Sequence, residues 1–222
     1  PGLELGKAVI HEEFAMAGGD LFEINIIGKG GHAAQPQHSN DPVIALGFII
    51  SSLQTILSRQ LDPFSNAVLS ITKVNAGTAF NVIPESSYIG GTLRSTNDKE
   101  RNYLLKKIEE ISKNTALAHN CDIEFKINPG YPPTVNDKNS AKKVTEIYKS
   151  TFGEDMVDAN HSATMGSEDF SYMLLERPGA YLHLGQGFGP ALHNPEYDFN
   201  DDLAPIGASF FAKLVEKSQP LD

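Results

Sequence analysis

The chain has 222 residues, 40% of them hydrophobic and 21% charged, and its 28 Asp and Glu outweigh 18 Lys and Arg for a formal charge of −10. That length can bury a core in one large or two small domains, and the composition is ordinary for a globular protein. The acidic balance argues against nucleic acid or an anionic membrane as a partner, since both select a basic face. The one cysteine, Cys121, has no internal disulfide partner and reads as inert core. No apolar run approaches the roughly 18 residues that span a bilayer; the longest is 43–50. A cytoplasmic location is expected. Pro1 is followed by neither a basic nor an apolar leader region, the pattern of a segment from inside a longer protein, so a lost targeting peptide stays open.

In chain order, residues 6–11 suggest a short strand, followed by a loop ending at Gly18-Gly19. From Leu21, the apolar Phe22, Ile24 and Ile26 alternate with neighbours suited to the other face of a strand, which stops at the glycines from Gly28. Asp41 and Pro42 supply the cap and first residue of a helix to about 58, with a broad stripe from Val43 to Leu57 to cover. Residues 67–74 are β-branched, with Val68, Ser70, Thr72 and Val74 on one face and Leu69, Ile71 and Lys73 on the other. A turn at 75–77 and a loop through Asn81-Val82-Ile83-Pro84 lead to a strand over 87–95. Asn97 and Glu100 form a capping box for a second helix to about Asn120, its face carrying Leu104, Ile108, Ile111 and Thr115. Ile123, Phe125 and Ile127 mark a last strand, closed by Pro129-Gly130.

Beyond it, a helix is expected over 139–151, Ser167 as N-cap of a short helix to 175, a buried strand over 180–184 and a final helix over 205–217. The order over 20–129 is β-α-β-β-α-β, the split βαβ motif: one antiparallel sheet with both helices on one face. The remaining pieces, 1–19 and 130–222, read as parts of one α/β domain into which the 20–129 unit is inserted. The edge strands of such a sheet need partners or charges, so self-association is expected.

Four residues stand out, each with an ordinary explanation when taken singly. His32 follows a strand end on glycines and serves a turn as well as a site. Asn81 suits a left-handed turn before a strand, and Arg94 near a strand end is ordinarily solvated. His193 lies in a glycine-rich, acidic stretch over 185–202 without apolar periodicity, which reads as a site loop, but one loop histidine is more often a surface residue than a ligand.

Together the motifs are more specific. Leu-His-Asn-Pro-x-Tyr-Asp-Phe-Asn-Asp (192–201) resembles the C-terminal metal-ligand loop of the co-catalytic metallopeptidase family that includes aminoacylases, hippurate hydrolase and the indole-acetyl-amino-acid hydrolases. Gly-Lys-Gly-Gly-His-Ala-Ala (28–34), Asn-Val-Ile-Pro (81–84) and Gly-Thr-Leu-Arg (91–94) look like its lid or dimerisation domain. Pro-Gly-Tyr-Pro-Pro-Thr-Val-Asn (129–136), Thr-Met-Gly-Ser-Glu-Asp-Phe (164–170) and Arg-Pro-Gly-Ala-Tyr (177–181) resemble its C-terminal half.

The resemblance implies a ferredoxin-like lid or dimerisation domain inserted in part of an α/β zinc-peptidase-like catalytic domain, and a homodimer. It implies a metal-dependent amidohydrolase that cleaves N-acyl-amino acids to a carboxylate and a free amino acid, using two divalent ions of zinc, manganese, cobalt or nickel. His193 then matches one metal ligand, Asn81 and Arg94 the residues that hold the substrate α-carboxylate, and His32 the histidine that stabilises the oxyanion. The family's other ligands and its general-base glutamate are expected before Pro1, so the metal site within this segment is expected to be incomplete and the segment alone inactive. The alternatives are a non-catalytic dimerisation or binding module and, on fold analogy alone, a regulatory amino-acid-binding domain.

Overall fold

The structure, a computed structural model, describes residues 1–219. In chain order its elements are β1 (Ala8–Val9), β2 (Phe14–Met16), β3 (Gly18–Ile27), β4 (Gly31–His32), α1 (Pro42–Thr55), β5 (Ala67–Ala76), β6 (Val82–Ile83) and β7 (Ser86–Ser95). They continue with α2 (Asp98–Ala118), β8 (Asp122–Asn128), β9 (Thr134–Val135), α3 (Lys138–Phe152), α4 (Phe170–Glu176), β10 (His183–Leu184) and α5 (Leu203–Ser218). The chain divides into two units. One, the sheet unit, comprises Ala17–Pro133 and Met165–Glu168; the other, the flanking unit, comprises Pro1–Met16, Thr134–Thr164 and the residues from Asp169 onward.

In the sheet unit the strands lie in the order β5-β7-β3-β8, antiparallel throughout, which is the split βαβ arrangement. Phe22, Ile24 and Ile26 of β3 and Ile89 and Leu93 of β7 face the core, where Ala45, Leu46, Ile49, Leu53 and Ile56 meet Leu104, Leu105, Ile108 and Ala116 of α2. Gly91 pairs with Phe22, and a Cβ there would stand 2.4 Å from the Phe22 ring, so the missing side chain makes room for the aromatic one. Strand β3 begins at Gly18, not at Leu21, because Gly18 and Gly19 pair with Ser95 and Arg94. The alternation expected in β5 breaks at Thr72, where a bulge shifts the register between Ile71 and Lys73 and exchanges the faces of the residues that follow.

Helix α1 starts as expected, with the Asp41 side chain accepting the Val43 amide at 2.8 Å and Pro42 in the first turn. Its α-helical hydrogen bonding ends at Thr55 and gives way to a π-helical turn over Ile56–Gln60. Together Pro42–Gln60 make 19 helical residues with an 18-residue window of mean hydropathy 1.4, so by length and composition alone the helix is long and apolar enough to cross a membrane, although its apolar run ends at Ser51 and Ser52. Its inner face is part of the sheet unit's core, while Val43, Ile44 and Phe48 are exposed. At α2 the capping box is half formed. Asn97 accepts the Glu100 amide at 2.9 Å, but the Glu100 carboxylate takes the Ser65 hydroxyl rather than returning to Asn97. The core stripe of α2 runs through Leu105, Ser112 and Ala116 as well as Leu104 and Ile108, leaving Ile111 and Thr115 only partly buried.

The flanking unit gathers Ala8, Ile10, Ala141, Val144, Ile147, Tyr148 and Phe210 around the antiparallel pair β1-β10. The buried Asn136 accepts the Tyr181 amide and donates to the carbonyls of His11 and Tyr181, and the Tyr148 hydroxyl donates to the Gly6 carbonyl. The strand expected over 180–184 is only His183–Leu184 and is half-buried. Helix α4 is capped at Asp169, not Ser167, without a side-chain bond.

Candidate functional site

The loop after β3 can turn only because it is glycine-rich. A Cβ at Gly28 would lie 2.3 Å from the Asn40 carbonyl oxygen, and one at Gly30 would lie 2.7 Å from that of Ile83. These close approaches bring Gly31 and His32 into a two-residue ladder with Ile83 and Val82, and the Ala33 amide bonds the Asn81 carbonyl at 3.0 Å. The structure therefore brings His32 and Asn81 together, both exposed. The segment expected as a loop at 81–84 contributes a strand, and Asn81 does not adopt a left-handed backbone: among the described residues other than glycine, only Asn120 and His193 have positive φ.

His32 Nδ1 accepts the Ala34 amide at 3.0 Å. An acceptor nitrogen carries no proton, so in the neutral ring the proton is on Nε2, which is left as a donor.

Arg94 lies at the other end of the same sheet. The His32–Asn81 ladder follows the Ile27 end of β3, where β7 begins at Ser86, whereas Arg94 is paired with Gly19 at the start of β3. Eight residue steps along β7 separate Ser86 from Arg94, roughly 27 Å at about 3.4 Å per step. Arg94 is half-buried, and its Nη1 donates to Ser167 Oγ at 2.8 Å. Ser167 went unnoticed as a possible site residue in the sequence because it is 73 positions away and sits where a helix cap is expected.

His193 belongs to the flanking unit, in a loop organised by Gln186. The Gln186 side chain receives the Tyr197 hydroxyl at 3.1 Å and donates to the Asp198 carbonyl at 3.2 Å, and its own carbonyl accepts from Asn200 at 3.0 Å. At the tip, His193 is exposed with φ +69°. That conformation costs a non-glycine residue roughly 1–2 kcal/mol and is the kind of strain that functional positions retain.

One imidazole supplies one ligand and not a site. Among the described residues no three His, Cys, Asp or Glu side chains form a group able to hold a metal ion. A second set of imidazoles, His11, His161 and His183, lies in the flanking unit. Burial, then the neighbouring histidines, lowers the pKa of His183, and burial, then His161, lowers that of His11. A depression of about 660 Å³ beside the N-terminus of α2, lined by residues such as Gln60, Asn97 and Tyr103, contains none of the four candidate residues.

The sequence profile of peptidase family M20/M25/M40 matches residues 6–217. IAA-amino acid hydrolase ILR1-like 2 from Arabidopsis thaliana is 39% identical over 223 residues, covering 96% of this chain and 50% of the relative. The hippurate hydrolase of Campylobacter jejuni is 39% identical over 204 residues, 91% of this chain and 53% of that protein. The N-acetylcysteine deacetylase of Bacillus subtilis is 34% identical over 97% of this chain and 56% of its own. The chain thus spans about half the length of these curated relatives. Among solved structures, a dinuclear metal binding peptidase of the M20 family from Bacillus subtilis superposes with a TM-score of 0.80 at 28% identity, over 98% of this chain and 55% of that one. A tripeptidase from Staphylococcus aureus, at 18% identity and a TM-score of 0.73 over 98% of this chain and 55% of its own, shares the fold. With a family match that takes in the lid-like motifs as well as the His193 loop, the chain belongs to peptidase family M20/M25/M40.

Proposed function

We propose that the protein to which this chain contributes hydrolyses N-acyl-amino acids, releasing a carboxylate and a free amino acid. The observation that carries this reading is Arg94, a half-buried guanidinium with no carboxylate partner among the described residues. Such a cation suits the α-carboxylate that distinguishes an acyl amino acid from a simple amide, through two charge-assisted hydrogen bonds. The relatives named for IAA-amino acids and hippurate support the substrate class. His193 is the residue of this chain that would hold a divalent ion, and zinc, manganese, cobalt and nickel all accept imidazole. When bound, a pair of such ions polarises a carbonyl and acidifies a water molecule. His32 donates from Nε2 to the oxygen on which negative charge develops, and Asn81 adds a second polar contact to the substrate.

Distance within the sheet unit supports a reading in which these groups come from two copies of the chain. An acyl amino acid is far shorter than the roughly 27 Å along β7, so one substrate meets Arg94 of one protomer and the His32–Asn81 ladder of another. The protein is on this reading a homodimer. The edge strand β5 and the exposed Val43, Ile44 and Phe48 of α1 are surfaces for such pairing.

The test mixes two full-length variants, His32→Ala and Arg94→Ala, under subunit exchange. Each alone should lose activity, His32→Ala by about 10²–10³ in kcat, the scale of one oxyanion donor. In a mixed dimer one site carries both lesions and the other neither, so an equal mixture should regain about a quarter of the parental activity. Proven heterodimers that regain nothing would show that His32 does not act across the interface.

A further inference from the structure

The surroundings of Arg94 orient its charge without cancelling it. In the β3-β7 register Arg94 stands opposite Gly19, and a Cβ at Gly19 would lie 1.9 Å from Nη1 and 2.8 Å from Cζ, so the guanidinium rests directly on the Gly19 backbone. From the other side Ser167 Oγ accepts from Nη1 at 2.8 Å. Ser167 comes from Met165–Glu168, which packs with the sheet unit although its neighbours in sequence belong to the flanking unit. The contrast is Arg101, which grips the carboxylate of Asp20. A carboxylate in place of Ser167 would make an internal ion pair and spend the charge of Arg94, whereas a neutral hydroxyl fixes the plane of the fork and leaves the charge for an outside anion. With an Nη1 proton engaged, the parallel Nε–H and Nη2–H edge, which matches a carboxylate, makes no bond to a described residue.

We propose that Ser167 is the positioning residue of the Arg94 fork and that Gly19 is the platform on which the fork lies. The inference rests on the reading of Arg94 as the carboxylate clamp, and it adds a part of the clamp supplied by a distant stretch of the chain.

The test uses the full-length protein with an N-acyl-amino acid and its α-carboxamide as paired substrates. Ser167→Ala should raise KM for the acid about 10-fold, the scale of one hydrogen bond to a charged group, with kcat within about two-fold and the carboxamide KM unmoved. Ser167→Thr keeps the hydroxyl and should restore the parental KM. Gly19→Ala, which forces the guanidinium off its platform, should move KM in the same direction as Ser167→Ala. If Ser167→Ala leaves KM for the acid unchanged while Arg94→Ala raises it, the clamp stands and Ser167 does not position it. Equal losses on acid and carboxamide would make Ser167 a support for its own segment and overturn the proposal. If Arg94→Ala itself fails to separate the two substrates, the reading of Arg94 fails, and the role of Ser167 falls with it.

Discussion

Arg101 holds Asp20 through two parallel charge-assisted hydrogen bonds, Nε to Oδ2 at 2.6 Å and Nη2 to Oδ1 at 2.5 Å, and the Gly130 amide reaches the same carboxylate at 3.2 Å. Asp20 is only 2% exposed, so the pair ties the start of β3 to α2 and to the end of the sheet unit from inside. Asp20→Ala leaves a guanidinium without its principal partner and should destabilise the sheet unit by about 3 kcal/mol, measured by urea unfolding. A loss below about 1 kcal/mol would mean that the pair contributes no more than an exposed one.

His193 offers a test of backbone strain separate from chemistry. Its φ of +69° is unfavourable for any residue with a Cβ, so His193→Gly should be more stable than His193→Ala by about 1 kcal/mol. Thermal melts of the two variants read the difference. Equal stabilities would show that the loop relaxes out of the left-handed conformation once the imidazole is gone.

The flanking unit should weaken as pH falls. Burial, aided by His11 and His161, holds the pKa of His183 below its ordinary 6.5, and the same holds for His11 through burial and His161. The unfolded chain therefore binds more protons than the folded one between the depressed values and 6.5. Stability is fully present above 6.5 and is lost as pH drops through that window, levelling off below it. Thermal unfolding followed from pH 8 to pH 5 should show the decline, and His183→Gln should flatten it. A profile unchanged by His183→Gln would place the proton uptake elsewhere.

The 222-residue chain by itself should not release glycine from hippurate. The motive is that His193 has no companion ligands among the described residues, and two ions require several side chains to fix them. Hydrolysis by the purified chain, abolished by a chelator and restored by a divalent ion, would overturn this.

Much of the sheet unit was legible because its signals are local. The alternation of Phe22, Ile24 and Ile26, the cap and proline at Asp41 and Pro42, and the Asn97 cap each act over a few residues, and the structure shows all of them. What escaped depends on partners far along the chain. The bulge at Thr72 is set by β7, and the ladder joining His32 to Val82 is too short to show a period. Ser167 carries a hydroxyl that suits a helix cap as well as it suits Arg94. The candidate residues could be picked out from their motifs, but the distance between Arg94 and the His32–Asn81 ladder could not. It follows from the strand pairing, which places Gly19, and not a residue near Ile27, opposite Arg94.

Where the chain enters and leaves the sheet unit, its two ends touch: the Gly19 amide bonds the Tyr131 carbonyl at 2.9 Å, and a Cβ on Gly130 would fall 2.0 Å from the Gly19 carbonyl oxygen. To the rest of the polypeptide, more than a hundred residues therefore occupy the footprint of a tight loop. A genetic splice at this neck could remove the module, or exchange it for another of the same build, without stretching the host chain. Glycine at 130 is the condition for that economy, since a side chain there would press on the Gly19 carbonyl and wedge the neck apart.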